Sequence, residues 1–234
     1  MMSNILICTI IRNRINSLDS WFRKINSLVD MNNIGLSVYE NDSDDGSSNW
    51  LSNIKNDSFI DTYVQSEKIA TNYYGSIMNA DRVKNLAIAR NKCIDIVEDL
   101  SKYDKLIFIE PDVEYEIIGA NRLIDISKKY DILSGYSIGV HGFYDTWATR
   151  SNITHQAPPN GNNYLITDKW GGIHPVASTF GGFCIYNIQP FIDGARFTSE
   201  MYGSADCDTA CICDTFANMG YDNIAIDRSF IIRH

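Results

Sequence analysis

Lys105-Leu106-Ile107-Phe108-Ile109-Glu110-Pro111-Asp112 decides how this chain is read. Four consecutive apolar residues run into two carboxylates spaced i, i+2. A short apolar run that stops at a turn signal reads as a buried strand. Strand side chains alternate faces, so Glu110 and Asp112 would point the same way, about 7 Å apart at Cα. Pro111 has no N–H for a ladder and suits a strand's end. Two carboxylates on one side of a strand end can share a hard divalent cation. Mg²⁺ or Mn²⁺ prefers oxygen ligands, typically one or two carboxylates plus substrate phosphates. The plainer alternative is a solvated Glu110 and an Asp112 that caps a turn.

Outward from this strand, strands and helices alternate. Strands are expected at Asn4–Ile11, 34–39, 59–64, Lys105–Ile109 and 131–136, and helices at 18–29, 82–100 and 122–129. That alternation predicts an α/β fold with a central, mostly parallel sheet flanked by helices. Ligands of such sheets sit at the carboxyl ends of the strands. Arg12 and Arg14, the run 40–45, and 110–112 all fall at such ends. Between 137 and 180 the texture turns to Gly, Pro, Asn, His and aromatics, as in Gln156-Ala157-Pro158-Pro159-Asn160-Gly161, the mark of a functional or flexible loop. A strand follows at Phe183–Asn187. A helix is expected over 204–219, with Ser204 as N-cap and Gly220 just past its end. Short strands at 224–226 and 230–232 complete the pattern. No internal repeat or linker divides the chain.

The chain has 234 residues, 44% hydrophobic and 21% charged, which suits one large domain with a real core. A net charge of −9 argues against non-specific nucleic-acid binding and against a polybasic membrane contact. The cysteines are Cys8, Cys93, Cys184, Cys207, Cys211 and Cys213. Four sit in apolar segments, where free cysteine behaves as a small hydrophobe. Cys207, Cys211 and Cys213 cluster without a second group at zinc-finger spacing, so a reduced, intracellular compartment is expected. The apolar run at the N-terminus is short, stops at Arg12 and has no basic region before it, unlike a signal peptide. No stretch reaches the apolar length of a transmembrane helix.

On a helical wheel of 82–100, Val83, Leu86, Ala87, Ile94 and Val97 form an apolar stripe with Arg90 in its middle. Lys84, Asn91, Asp95, Glu98 and Asp99 lie opposite. A guanidinium on the core side cannot lose its charge. It needs either a bidentate diphosphate or a structural acid such as Asp112 or Asp42. The run 40–47 holds four acids with Ser and Gly. It reads either as a sharp turn or as a loop that accepts bonds from a nucleobase or ribose. Asp206 and Asp208 either stabilise a helix dipole or hold a base at a cleft. His234 closes an apolar strand, and His141, His155 and His174 lie in the irregular segment.

These segments together resemble a GT-A glycosyltransferase. More closely, they are similar to the fungal capsule-associated mannosyltransferase family and to the capsid glycosyltransferase domain of large algal viruses. Four blocks carry the resemblance. They are Arg82-Val83-Lys84-Asn85-Leu86-Ala87-Ile88-Ala89-Arg90-Asn91; Glu110-Pro111-Asp112-Val113; Phe143-Tyr144-Asp145-Thr146-Trp147-Ala148-Thr149-Arg150; and Phe180-Gly181-Gly182-Phe183 through Asp206-Cys207-Asp208 to Gly220-Tyr221-Asp222. The Tyr-Asp-Thr-Trp block is the most specific.

The resemblance implies a single GT-A domain over 1–234, with a nucleotide-sugar half (1–136) and an acceptor half (137–234). It implies a metal-dependent hexosyltransferase that uses a nucleotide-diphospho-sugar such as a UDP-sugar, Mn²⁺ or Mg²⁺, and a glycan or glycoprotein acceptor. Glu110-Pro111-Asp112 would be the DxD-like site, with Asp112, Glu110 and His234 as metal ligands. Thr9, Arg12, Arg14, Glu40, Asp42, Arg90 and Glu110 would bind the nucleotide, while Tyr144, Trp147, Gly181 and Gly182 would line the acceptor side. Asp206, and next Asp208, would be the base of an inverting reaction. In a retaining one Asp206 would only orient the acceptor. The fungal members are membrane-anchored, so the lack of an anchor here favours a cytoplasmic enzyme, bacterial or in the host of a virus. Two other functions compete. A sugar-nucleotidyltransferase wants a Gly-rich loop after the first strand, and Thr9-Ile10-Ile11-Arg12-Asn13-Arg14 has no Gly. A non-catalytic carbohydrate-binding module would use Tyr144, Trp147 and Trp170 for stacking.

Overall fold

The computed structural model describes residues 3–29, 33–54, 58–75, 77, 79–151 and 172–234. Its strands are β1 Asn4–Ile11, β2 Asn33–Asn41, β3 Thr62–Glu67, β4 Lys105–Ile109, β5 Ile132–Gly139, β6 Gly142–Phe143, β7 Ile173–Pro175, β8 Phe183–Asn187, β9 Glu200–Met201, β10 Ser204–Ala205 and β11 Ile224–Arg233. Its α-helices are α1 Ile15–Val29, α2 Ser47–Leu51, α3 Ala80–Asp95, α4 Ile117–Ile126, α5 Gln189–Ile192 and α6 Asp208–Asn218. Among the described residues one nine-stranded sheet runs in the order β3-β2-β1-β4-β8-β5-β11-β7, with β6 beside β5, and β9–β10 form a separate hairpin. The strands β1 to β4 are parallel, β5 and β11 are parallel, and β8 runs antiparallel between β4 and β5. The architecture is the expected α/β fold with a mostly parallel central sheet.

The apolar runs form strands because both faces of the sheet are covered. In β1, Ile5, Ile7 and Ile11 enter one core and Leu6 and Cys8 the other. In β4, Ile107 and Ile109 part from Leu106 and Phe108 in the same way. One core is closed by Leu18, Trp21 and Ile25 of α1 and Leu123 of α4. The other is closed by Ala87, Cys93 and Ile94 of α3 and Ile212 and Phe216 of α6. Each such leucine, isoleucine or phenylalanine contributes about 1.5–3 kcal/mol by leaving water. All six cysteines are free and buried, so they serve as core volume.

Several boundaries differ from expectation. The strand expected at 59–64 lies at Thr62–Glu67, an edge strand whose side chains alternate between exposed and half-buried. The helix expected to reach 100 ends at Asp95, and Asp99 caps a separate 3-10 turn at Leu100–Lys102 through the Ser101 N–H, at 2.9 Å. Asn91, expected on the outer face, bonds the backbone of Phe197 through both ends of its amide. The helix expected at 122–129 starts at Ile117 and gives way to a 3-10 turn at Ser127. Ser204 is no N-cap: it pairs in the β9–β10 hairpin, and the helix begins at Asp208 after Cys207. The strands expected at 224–226 and 230–232 are one strand, β11, whose register shifts between Asp227 and Ile231. His155, Trp170 and the 156–161 segment lie outside the described residues.

Candidate active site

A cleft of about 450 Å³ opens where β1 and β4 end, β11 reaches His234 and β8 begins. It is walled by the segment after β3, one side of α3, the 144–148 turn and the first residues of α6. This is the edge at which an α/β sheet collects its ligands. Arg12, Arg14, Arg90, Glu110, Asp112, Tyr144, Trp147, Gly182, Asp208 and His234 all line it. Thr9, Glu40, Asp42, Gly181 and Asp206 do not.

The floor is a charged network. Arg90 is buried on the core side of α3, ion-paired with Asp208 and 3.8 Å from Glu110. The rings of Phe108, Phe180 and Phe197 surround its guanidinium. Its structural acid is thus Asp208, not Asp112 or Asp42. Asp112, with 42% of its side chain exposed, receives Arg14 Nε at 3.0 Å. Burial pushes Glu110 up to about 7. Arg90 pulls against that rise, while Asp112 and Asp145 add to it. Burial also raises Asp208, opposed by Arg90. Arg14 loses solvation but gains more from Asp112, Tyr73 and Glu110, so its own pKa rises.

The remaining nucleotide candidates are architectural. Thr9 donates its hydroxyl to the Ile109 carbonyl at 2.9 Å, tying β1 to the end of β4. Glu40 is buried and accepts from the Ser43 N–H and the Ser66 hydroxyl. Asp42 accepts the backbone N–H groups of Ile69, Ala70 and Thr71, at 2.9, 2.9 and 3.0 Å, and the Thr71 hydroxyl at 2.7 Å. Arg12 completes that turn. It donates to Thr71 and Asn72 and lies 5.4 Å from the Tyr73 ring centroid. Asp42 and Arg12 therefore shape the cleft wall formed by the segment after β3.

On the other side Tyr144 stacks on His234, ring centroids 3.8 Å apart. Desolvation lowers the His234 pKa, which favours the neutral imidazole. Gly181 and Gly182 adopt φ of +66° and +77°, and a Cβ on Gly182 would meet Val113 at 2.8 Å and His234 at 3.0 Å. That close turn lets Gly182 O accept the Glu110 N–H at 2.9 Å while Gly181 N–H donates to Asp145. Asp206 is held away from the cleft by Arg150 at 2.7 Å, and Arg150 also bonds the Trp147 carbonyl. A second hollow, lined by His141 and Val140, shares Asp112, Tyr144, Thr146 and His234 with the cleft. His174 sits in β7, paired with Ile226 away from the cleft.

Among the cleft residues that do not stand out in the sequence, Arg82 and Asp145 carry charge. Arg82, in the first turn of α3, bonds the Gly75 carbonyl through Nε at 2.7 Å. Its terminal nitrogens have no hydrogen-bond or ion-pair partner among the described residues. Asp145 accepts the N–H groups of Phe180 and Gly181 at 3.1 and 2.7 Å, both on Oδ2. Burial raises its pKa, and those two bonds and Arg150 oppose the rise. Both residues stand inside blocks of the family resemblance, but nothing local distinguishes them from helix-start and turn residues.

Among the described residues no three His, Cys, Asp or Glu side chains converge as a complete metal cage. The donors that do share the cleft are an accessible carboxylate on Asp112, a crowded one on Glu110 and a neutral imidazole on His234. That set fits a Mn²⁺ or Mg²⁺ that takes its other ligands from a diphosphate. No described helix is long and apolar enough to cross a membrane.

Known proteins agree with this architecture. TarS residues 1–349 of S. aureus superimposes with a TM-score of 0.56 at 14% identity, over 99% of this chain and 60% of that one. The same protein in complex with UDP-GlcNAc gives 0.54 at 13% identity, over 100% and 59%. The mannosyltransferase PcManGT of Pyrobaculum calidifontis, in complex with GDP-Man and Mn²⁺, gives 0.59 at 9% identity, over 100% and 57%. The chain thus spans about three fifths of the length of these structures. No curated protein sequence matches it significantly. The family model described as Cryptococcal mannosyltransferase 1 matches residues 4–217. Through that match, on a GT-A fold, the chain belongs to the Cryptococcal mannosyltransferase 1 family of glycosyltransferases.

Proposed function

We propose that this chain is a metal-dependent glycosyltransferase that moves a hexose from a nucleotide-diphospho-sugar to a glycan or glycoprotein acceptor. One observation carries the reading. At the end of β4, Glu110 and Asp112 meet Arg90 and Arg14 on the floor of a cleft with room for such a donor. The segment after β3, held by Asp42 and Arg12, would take the nucleoside end. Arg14 and the unspent fork of Arg82 would take the diphosphate, since a planar guanidinium matches phosphate oxygens bidentately. Asp112, with Glu110 and His234, would hold Mn²⁺ or Mg²⁺, which when bound neutralises charge on the departing diphosphate. Arg90 would fix Glu110 and Asp208 in place, so Asp208 serves as a positioning residue. Tyr144 and Trp147, on the turn pinned by Arg150, would edge the acceptor side.

The test is thermal stabilisation by UDP, GDP and their hexose conjugates, with and without Mn²⁺. A ligand at 100 times its Kd adds about 2.7 kcal/mol, or roughly 5–10 °C for a chain of this size. The expected result is a metal-dependent shift with one nucleotide, lost in Asp112→Asn. No shift with any nucleotide overturns the reading.

A further inference from the structure

We propose that Asp145 is the carboxylate that holds the hydroxyls of the sugar carried by the donor. The proposal rests on the donor reading above and names the part of the cleft that reads the sugar. The other acids near the cleft are already spent. Asp112 is paired with Arg14, Asp208 is buried against Arg90, and Asp206 is paired with Arg150 outside the lining of the cleft. Glu110 lies beside Arg90 and belongs to the diphosphate end. Asp145 differs because the only hydrogen bonds of its carboxylate among the described residues are the two from Phe180 and Gly181, both on Oδ2. Those bonds fix the carboxylate of a side chain that lines the cleft, and Oδ1 has no partner among the described residues.

An ionised carboxylate accepts about four hydrogen bonds. The bonds on Oδ2 come from neutral amides, so Asp145 keeps the acceptor capacity of a whole oxygen. Beside it in the cleft stands the ring of Trp147, where the donor's sugar would meet the acceptor. A fixed acceptor beside aromatic surface suits a neutral polyol, and it repels phosphate. Arg14, paired with Asp112 after β4, would take the phosphates, which leaves the sugar of the donor to Asp145. Arg150 bonds both the Trp147 carbonyl and Asp206, so it holds this turn against the start of α6.

The experiment is calorimetric titration of the wild type, Asp145→Asn and Asp145→Ala with UDP, GDP and their hexose conjugates in Mn²⁺. Asparagine keeps an oxygen for the Phe180 and Gly181 N–H groups, so the fold survives even if the alanine variant unfolds. The wild type should bind the nucleotide sugar more tightly than the free diphosphate. In Asp145→Asn the nucleotide-sugar Kd should rise at least about tenfold, the effect of losing a bond to a charged acceptor. The free diphosphate Kd should stay within about threefold. Equal loss for both ligands, no loss for either, or no sugar preference in the wild type would each overturn the assignment. Failure of the wild type to bind any nucleotide would overturn the donor reading as well, so the two failures are distinguishable.

Discussion

Two groups of acids stand at the same edge of the sheet and behave in opposite ways. The run at the end of β2 and just past it (Glu40, Asp42, Asp45) spends its oxygens on neutral donors nearby. Asp42 holds the turn at 69–71, and Asp45 accepts the Ile15 N–H at 2.9 Å as a cap for α1 supplied from another loop. The cleft acids Glu110, Asp112 and Asp208 meet arginines instead, and Asp145 keeps one oxygen unspent. A carboxylate saturated by backbone N–H groups shapes a wall. One paired with a side-chain cation, or half-satisfied, can exchange its partner for a ligand.

The strongest way to break this contrast is Arg90→Ala. It strips a buried acid of its partner and should cost about 3–5 kcal/mol in urea unfolding. A loss below about 1 kcal/mol would mean that Asp208 is not charged in the fold. Asp112→Asn should lower sugar transfer at least about a hundredfold, roughly 2.7 kcal/mol of barrier. Its unfolding free energy should stay within about 0.5 kcal/mol of wild type. A destabilised but active variant would move Asp112 into the architectural group. Asp42→Ala should destabilise by about 1.5–3 kcal/mol. Partial burial raises the Asp42 pKa, but its hydrogen bonds from Thr71, Asn41 and Ala70 outweigh that and hold it well below the usual carboxylate range. Its stabilisation is therefore complete above the ordinary Asp pKa of about 3.9 and is lost as pH falls toward the depressed value. Acid titration of stability should be flatter in the variant. Asp45→Ala should be mildest, about 1 kcal/mol as for a lost helix cap, with nucleotide affinity unchanged.

The sequence reveals these groups unevenly. β1, β4 and β8 are legible to the residue because short runs buried on both faces end at charged or turn residues. Arg14, Glu110 and Asp112 are legible as charges that follow such runs, and Arg90 as a charge inside an apolar stripe. Its partner is not legible, because Asp208 lies 118 residues away. The choice between Asp206 and Asp208 hides for the same reason: it depends on Arg150 reaching the first and Arg90 the second. β3 hides because an edge strand needs no apolar run. The start of α6 hides because Cys207 offers no side-chain cap while Ser204 looks like one. Asp145 hides because its partners are backbone groups of a turn 35 and 36 residues on.

The antiparallel β8 has a consequence in time. Residues 183–187 lie between β4 and β5, both made earlier on the ribosome. Until β8 emerges, β4 and β5 each keep an open edge, and the first four strands cannot join the later ones. Such long-range pairing is slow and leaves edges exposed to other chains. Glu110 follows β4 and Tyr144 follows the β5–β6 hairpin, so the two sides of the cleft meet only when this strand is inserted. A nascent chain halted before residue 187 would hold a half-sheet and a set of arginines, with no binding site between them.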